Sequence, residues 1–501
     1  MRKKKAIYNI LSNLLLQIII VIYGFIVPKV IITSFGSNVN GLISSITQFL
    51  AYITLLESGF GPVVKSLLYK PIAKQDNETI KKILKTSESF FRKIAKIFIM
   101  YIIVLCVFFP IIINDSFSPF FTISLIIIIA ISTFAEYFFG MTYKLYLQSN
   151  QDNYIIYFIQ IITYILSIIF VIVLVKINAS IQFIKLVSGI IFILRPLLQN
   201  LYVRKKYSVD LRKVNEKIEI PQKWDGLAQH VAYVIHTNTD ITVLTIFRTL
   251  SEVSVYSVYY LVINGVKSII SSFSGSIGST FGDMIARNEI KNLNKKFNMY
   301  ETLYLTIICI IFSCTLVLIT PFIGIYTKGI NDINYIRWTF GYLMVISEYI
   351  WAIMQPYSQT TLAAGHFKET KKGAWVEAFI NLFISIVCVF KFGLNGVLFG
   401  TIIAVFIRMM EFMIHTNKKI LYRDIWNSIS KILILAIETI IIYIVVERMP
   451  LLEYISYINW IINAFIIFIT SSFIVFLINF IIFKKDILLA YNLLFKKVKK
   501  R

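Results

Sequence analysis

Long apolar runs, broken only by an occasional polar residue, alternate along this chain with short polar segments. The runs repeatedly exceed the ~20 residues a helix needs to cross hydrocarbon. Fourteen spans are predicted. The first six run approximately Ile7 to Val30, Gly41 to Val64, Ile94 to Ile113, Phe120 to Tyr146, Tyr154 to Val175 and Ile181 to Val203. The next six are Asp225 to Phe247, Ser251 to Asp283, Tyr300 to Tyr326, Tyr335 to Leu362, Gly373 to Phe390 and Leu394 to His415. Ile425 to Val446 and Tyr454 to Phe483 complete the set.

The stretch from Asp225 to Glu289 stands apart. Two of its spans carry His236, Asn238 and Asp240, then Asn264 and Lys267, followed by the small-residue run Ser271-Ser272-Phe273-Ser274-Gly275-Ser276-Ile277-Gly278. Each such polar group costs a few kcal/mol in lipid unless it faces protein or water. This helix pair is therefore expected to line a cavity rather than to anchor a domain.

Composition agrees: 57% of residues are hydrophobic and only 15% charged, too apolar for a soluble protein. The formal charge of +24 raises the question of nucleic acid. The distribution answers it, because basic residues concentrate before the first span, after even-numbered spans and at the C-terminus. That is the positive-inside pattern with both termini cytoplasmic, and no nucleic-acid partner is expected. Cys106, Cys309, Cys314 and Cys388 all fall inside apolar runs, so neither a disulfide framework nor a metal site is predicted. Arg2-Lys3-Lys4-Lys5 followed by an apolar run imitates a signal peptide, but the run is long and lacks a small-residue cleavage site, so it reads as an uncleaved first span.

The longest loops, near Lys65 to Lys93 and Arg204 to Lys223, lie on the cytoplasmic side, and external turns are short. Function is thus expected within the membrane. Asn77-Glu78 matches Asn288-Glu289, Phe109-Pro110-Ile111 matches Thr320-Pro321-Phe322, and Leu147-Gln148-Ser149-Asn150 matches Leu362-Ala363-Ala364-Gly365, at nearly one sequence offset. A six-span repeat keeps its orientation, which gives parallel repeats. The expected fold is an all-α polytopic membrane protein of two six-helix lobes, 1–203 and 225–416. A basic cytoplasmic linker (204–224), two further helices (417–483) and a basic amphipathic cytoplasmic tail (484–501) accompany them, the tail lying on headgroups.

At ~1.5 Å per residue, Glu57 and Lys267 lie near the midplane, at equivalent places in the two repeats. Two readings stay open: a cavity offering an acid and a cation to substrate, or an ion pair holding the lobes together. Arg195 lies toward the cytoplasmic end of span 6. Lys29 and Arg248 sit near external ends, where snorkelling is the ordinary reading. Arg and Lys nonetheless suit a pyrophosphate, by a fork of donors and as a point charge. Glu136, Glu348 and Asp240 are deep acids open to cation or proton coupling, and His236, one turn before Asp240, shares its face. Arg408 and Glu411, at i and i+3, are expected to neutralise each other. Glu438 carries no assigned role.

No Walker A run, H-E-x-x-H or G-x-S-x-G occurs, so neither an enzyme nor a bound cofactor is expected. Asn238-Thr239-Asp240-Ile241-Thr242, Glu252-Val253-Ser254-Val255-Tyr256-Ser257-Val258-Tyr259 and the Gly/Ser run to Asp283 resemble bacterial polysaccharide repeat-unit flippases. So do Phe35-Gly36, Asn40-Gly41-Leu42, Glu57-Ser58-Gly59-Phe60-Gly61 and Lys70-Pro71. These are the O-unit and capsule-unit transporters of the multidrug/oligosaccharidyl-lipid/polysaccharide flippase superfamily, with a MATE-like fold, and the resemblance covers spans 1 to 14.

That resemblance implies translocation of an undecaprenyl-pyrophosphate oligosaccharide across the bacterial cytoplasmic membrane by alternating access. Polysaccharide polymerase and glycosyltransferases would act beside it. It also implies cavity cations for pyrophosphate, with Lys267 first, then Arg195, Arg248 and Lys29. Span 2 offers the acid Glu57 where related families carry a cation. A proton- or sodium-coupled small-molecule antiporter of the same superfamily would instead use Asp240, Glu57 and Glu348. A membrane polymerase or ligase would need a sizeable external loop, which this chain lacks.

Overall fold

A computed structural model describes residues 2–57, 59–113, 116–207, 209, 211, 214, 218, 227–274 and 277–495. Most of the 204–224 linker, Asp225, Gly275, Ser276 and the tail beyond Phe495 lie outside these residues. The described chain is helical, with no strand. It forms two compact units, Met1–Ser257 and Val258–Arg501.

In the first unit, α1 (Arg2–Phe35) and α2 (Ser37–Ala51) precede α3 (Phe60–Lys74) and the long α4 (Asn77–Ile112). Then follow α5 (Pro119–Ala135), α6 (Met141–Ser149), α7 (Asn153–Lys176), α8 (Ile181–Tyr207), α9 (Leu227–Phe247) and α10 (Leu250–Ser274), which ends in the second unit. The second unit continues with α11 (Ile277–Ala286), α12 (Ile290–Tyr326), α13 (Trp338–Ala363), α14 (Lys371–Phe392), α15 (Leu394–His415), α16 (Trp426–Glu447), α17 (Tyr457–Ile482) and α18 (Lys484–Phe495).

Twelve helical segments among the described residues are long and apolar enough to cross a membrane, as a polytopic protein requires. The other two expected spans are the helices α9 and α13, 21 and 26 residues long. They fall short in apolarity because they carry Asn238, Asp240, Glu348 and Gln355, all of them buried.

One expectation is corrected. Lys65 to Lys93 is not a loop: α3 continues to Lys74 and α4 begins at Asn77. The sequence supplies the start signal, since the Asp76 carboxylate accepts from the Thr79 amide at 3.0 Å and from its hydroxyl at 2.6 Å. That exposed cap holds the Asp76 carboxyl below its ordinary range. The basic residues of this segment thus ride on helix surfaces rather than on free chain.

Polarity is inverted relative to a soluble bundle. Along α17 the buried stripe is Asn463, Ile467, Ser471, Val475 and Asn479, while Phe465, Phe473 and Phe476 are exposed. Lipid solvates the aromatic face, and packing against protein satisfies the polar one. Asn463 also ties down the preceding loop, donating to the Leu452 carbonyl (2.8 Å) and accepting from its amide (3.0 Å). α14 and α15 pack through a small-residue pair: a Cβ on Gly396 would meet the Cys388 backbone at 2.4 Å, and one on Gly400 the Asn381 carbonyl at 2.7 Å. Gly396-x-x-x-Gly400 therefore permits helix backbones to touch.

Two expected spans depart from continuous α-helix among the described residues. Span 2 passes through a 3₁₀ turn, Tyr52–Leu56, before α3 resumes at Phe60. Span 4 contains a π-helical turn, Glu136–Gly140, between α5 and α6. Span 8 is described as α10 and α11 on either side of Gly275 and Ser276, which lie outside the described residues. Departures from α-geometry at membrane depth are tolerated where they are enclosed by protein or line a cavity.

Candidate functional site

The breaks in spans 2 and 4 meet at a cavity of about 380 Å³ within the first unit, lined by Thr54, Glu57, Glu136, Tyr137 and Lys144 among others. Tyr137 Oη donates to Glu57 Oε2 at 3.2 Å, and Lys144 Nζ donates to Glu136 Oε1 at 2.7 Å. The Glu136 side chain keeps 46% of its surface accessible, so this pair is not sealed in the core. Nearby, His230 Nε2 lies 2.9 Å from the Thr54 carbonyl, which can only accept, so that nitrogen carries the proton. The hollow thus presents two carboxylates and one ammonium inside the membrane. Intramembrane ionisable groups mark a pathway for a polar or charged solute.

Glu57 and Glu136, singled out from the sequence, come together here. Lys144 and Tyr137 were not anticipated, although Lys144 was visible as a lysine near the end of an apolar run.

In the second unit, Lys267 of α10 lies 2.8 Å from Glu348 Oε2 of α13, one turn from Trp351, whose ring centre is 4.4 Å from the ammonium. The Glu348 contact is ionic rather than an aligned hydrogen bond. The side chains retain 15% and 8% exposure. Two residues separately expected in the cavity are therefore partners.

The remaining expected residues that are described make other contacts. Arg195 Nε donates to Thr163 Oγ1 at 2.7 Å, and its guanidinium lies 4.2 and 4.1 Å from the ring centres of Tyr164 and Phe192. The Tyr164 cation–π contact and the hydrogen bond fasten α8 to α7, while the Phe192 contact lies within α8. Arg248 pairs with Glu252, one turn on, at 2.6 Å, an ordinary exposed ion pair that raises the guanidinium pKa further. Lys29 is half-buried, one residue after Pro28 of α1. Asp240 is buried and accepts from Tyr256 Oη at 2.9 Å. The His236 side chain lies outside the described residues. Arg408 does meet Glu411, and it also meets Glu377 at 3.3 Å.

Around Asp240, α2 and α9 are joined by a polar ladder. Gln48 donates to Asn238 Oδ1 and, at 3.2 Å, to the Thr237 carbonyl. The hydroxyls of Ser45 and Thr245 are 2.7 Å apart, and those of Tyr52 and Thr242 2.9 Å apart. Thr245 and Thr242 already donate to carbonyls one turn back, so Ser45 and Tyr52 are the donors. Asn40 Nδ2 extends the ladder to Ser254 Oγ (2.8 Å) and Ser257 Oγ (3.2 Å) on α10.

A second buried node lies in the second unit. Glu301 of α12, fully buried, accepts from Arg423 Nη2 (2.9 Å to each oxygen), Lys431 Nζ (2.9 Å), Ser428 Oγ (2.5 Å) and Tyr357 Oη (2.8 Å). Asp486 of α18 lies 3.7 Å from Lys431 and accepts from Asn298 Nδ2 and Thr302 Oγ1. Sequence reasoning passed over this node, because its members are scattered across α12, α13, α16, α18 and the segment before α16.

No family model matches the chain, and no curated protein matches it in sequence. Solved structures do. The lipid II flippase MurJ in an inward closed conformation aligns over 94% of this chain and 99% of its own, with TM-score 0.67 and 16% identity. An inward-facing multidrug resistance MATE transporter of the MOP superfamily aligns over 84% of this chain and 98% of its own, with TM-score 0.59 and 11% identity. A MATE structure in a bent conformation gives 87%, 97%, 0.51 and 13%. At such identities the likeness is one of architecture. This chain has the fold of MurJ and of the MATE transporters of the MOP superfamily.

Proposed function

We propose that the protein is a flippase that carries oligosaccharide repeat units linked to undecaprenyl pyrophosphate from the cytoplasmic to the outer face of a bacterial cytoplasmic membrane. The lobes 1–203 and 225–416 would rock to give alternating access, both termini remaining cytoplasmic. The product would feed surface polysaccharide assembly (O-antigen, capsule or exopolysaccharide), with polymerase and glycosyltransferases as functional partners. The observation that carries this reading is the Lys267–Glu348 contact with Trp351 beside it. An ammonium paired with a carboxylate in the membrane is a site that a pyrophosphate, bearing more charge and more acceptor oxygens, can take over by exchange. The likeness to the lipid II flippase MurJ over 94% of the chain supports it.

The test is translocation of an undecaprenyl-pyrophosphate oligosaccharide in proteoliposomes. Wild type is expected to flip the lipid, and Lys267→Ala to lose at least tenfold in rate, consistent with removal of one charge-assisted contact worth about 1.5–3 kcal/mol. Glu348→Gln, which keeps Lys267 and removes its competitor, is expected to bind the pyrophosphate more tightly. Full flipping by Lys267→Ala would discard the site. Expulsion of small cations under a proton gradient, with no lipid movement, would replace the flippase by an antiporter.

A further inference from the structure

Another hollow of the first unit shares no lining residue with the Glu57–Glu136–Lys144 cavity. It encloses about 630 Å³ and is lined by the Lys85–Glu88–Arg92 face of α4, by Asn200, Leu201 and Arg204 of α8, and by Phe138, Phe139 and Tyr143 between them. An adjoining hollow of about 390 Å³ shares Lys85, Glu88, Arg92 and Phe138 and adds Lys93 and Lys96. Five cations therefore surround one acid. Glu88 is already engaged by Lys85 (3.1 Å) and Arg92 (2.8 Å), so the surplus positive charge faces the hollow.

The positive-inside bias explains why cations stand at these helix ends. It does not require donors to be buried there. Arg204 Nε is buried, and among the described residues it meets no hydrogen-bond partner. Arg204 Nη2 reaches the Tyr143 hydroxyl only at 3.4 Å. A buried guanidinium N–H without an acceptor is a standing cost that an anionic ligand would relieve.

The lining also changes character with depth. Leu201 and Leu197 lie about one and two turns deeper along α8 than Arg204, and both are exposed, as is Phe139 of the π turn. A free inorganic anion would use the cations and leave this apolar floor without purpose. A lipid uses both. We infer that this hollow binds an anionic phospholipid of the cytoplasmic leaflet, its phosphodiester held by Arg204, Arg92 and Lys85 and its acyl chains laid along Leu201, Leu197 and Phe139. The site is separate from the flipped substrate and would tie the cytoplasmic ends of α4 and α8 together through a ligand rather than by direct contact.

The full-length protein, exchanged into a zwitterionic detergent, is titrated with phosphatidylglycerol and the adducts are read by native mass spectrometry. Wild type is expected to retain one phosphatidylglycerol, and inorganic phosphate at the same concentration is expected not to displace it. Arg92→Gln together with Arg204→Gln should weaken the adduct tenfold or more, at about fivefold per cation. Arg92→Gln alone, at a half-exposed position, serves if the double variant does not fold. Leu201→Asp keeps every cation and should lose the adduct as well, whereas Lys295→Gln, which removes an exposed cation of the second unit, should not. An adduct unchanged in the arginine variants would overturn the assignment. So would displacement of phosphatidylglycerol by equimolar undecaprenyl pyrophosphate, which would make the hollow a substrate site.

Discussion

Replacing Glu301 by alanine is expected to lower the thermal midpoint of the purified protein by on the order of 10 °C. The carboxylate is fully buried and receives Arg423, Lys431, Ser428 and Tyr357. Its removal leaves a guanidinium and an ammonium side by side, each desolvated and each repelling the other. Breaking a buried pair from one side costs about 3–5 kcal/mol, far more than an exposed pair contributes. For a unit of this size each kcal/mol moves the midpoint by about 2–4 °C. Water cannot easily rescue the stranded charges where the helices are flanked by lipid. Adding Lys431→Met to Glu301→Ala should recover part of the loss, because one of the two stranded cations is then gone; that non-additivity marks a true network. A midpoint unchanged in Glu301→Ala would mean that α16 is held to α12 by apolar packing alone.

The second large effect is expected at Gly41, and it bears on transport rather than on folding. A Cβ at this position would sit 1.8 Å from the Leu250 carbonyl oxygen and 2.6 Å from its carbon, so α2 touches the start of α10 backbone to backbone. Gly41→Val therefore forces the helices apart by more than an ångström at van der Waals contact. Such a displacement stretches the Asn40–Ser254 bond and then the Ser45–Thr245 and Tyr52–Thr242 bonds below it. With both termini cytoplasmic, as proposed, these helix ends would be external. If alternating access requires this seam to close, Gly41→Val should cut translocation at least tenfold while inserting normally. A cysteine at Thr245 should also become more reactive to a membrane-impermeant maleimide added outside, above the background of the native thiols. Wild-type labelling and wild-type transport in Gly41→Val would show that the seam is not a gate.

The spans were legible because lipid demands long apolar runs, and every expected span does contain helix. What composition could not convey was pairing. Lys267 and Glu348 were each recognisable as costly in the membrane, yet their partnership depends on how α10 and α13 cross, and no local spacing encodes it. Arg423 and Lys431 lie more than a hundred residues from Glu301 in sequence, and tertiary packing alone brings them to one carboxylate. Loops were misjudged for a related reason. The charge density of Lys65 to Lys93 reads as solvent-exposed chain, but exposed helices that project beyond a bilayer carry the same residues, and only the Asp76 cap distinguishes them. Polar residues on α9 drew attention to a cavity, whereas Asn238, Thr242 and Thr245 are spent on binding α2.

The π turn at Glu136–Gly140 shows how a site can be set by chain length. At about 3.6 residues per turn, positions eight apart on a regular helix are roughly 80° out of phase and cannot face each other. A π turn winds more slowly, and its extra residue absorbs nearly all of that difference. Glu136 and Lys144 meet at 2.7 Å for this reason. Their contact is thus a matter of phase: the π turn gives eight residues the phase that seven have on a regular helix, and one further residue in the α-helical turn before Lys144 would rotate it by about 100° and disconnect the charges, with composition and hydropathy almost unaltered. Insertions, more than substitutions, are the changes to which this part of the membrane interior is sensitive.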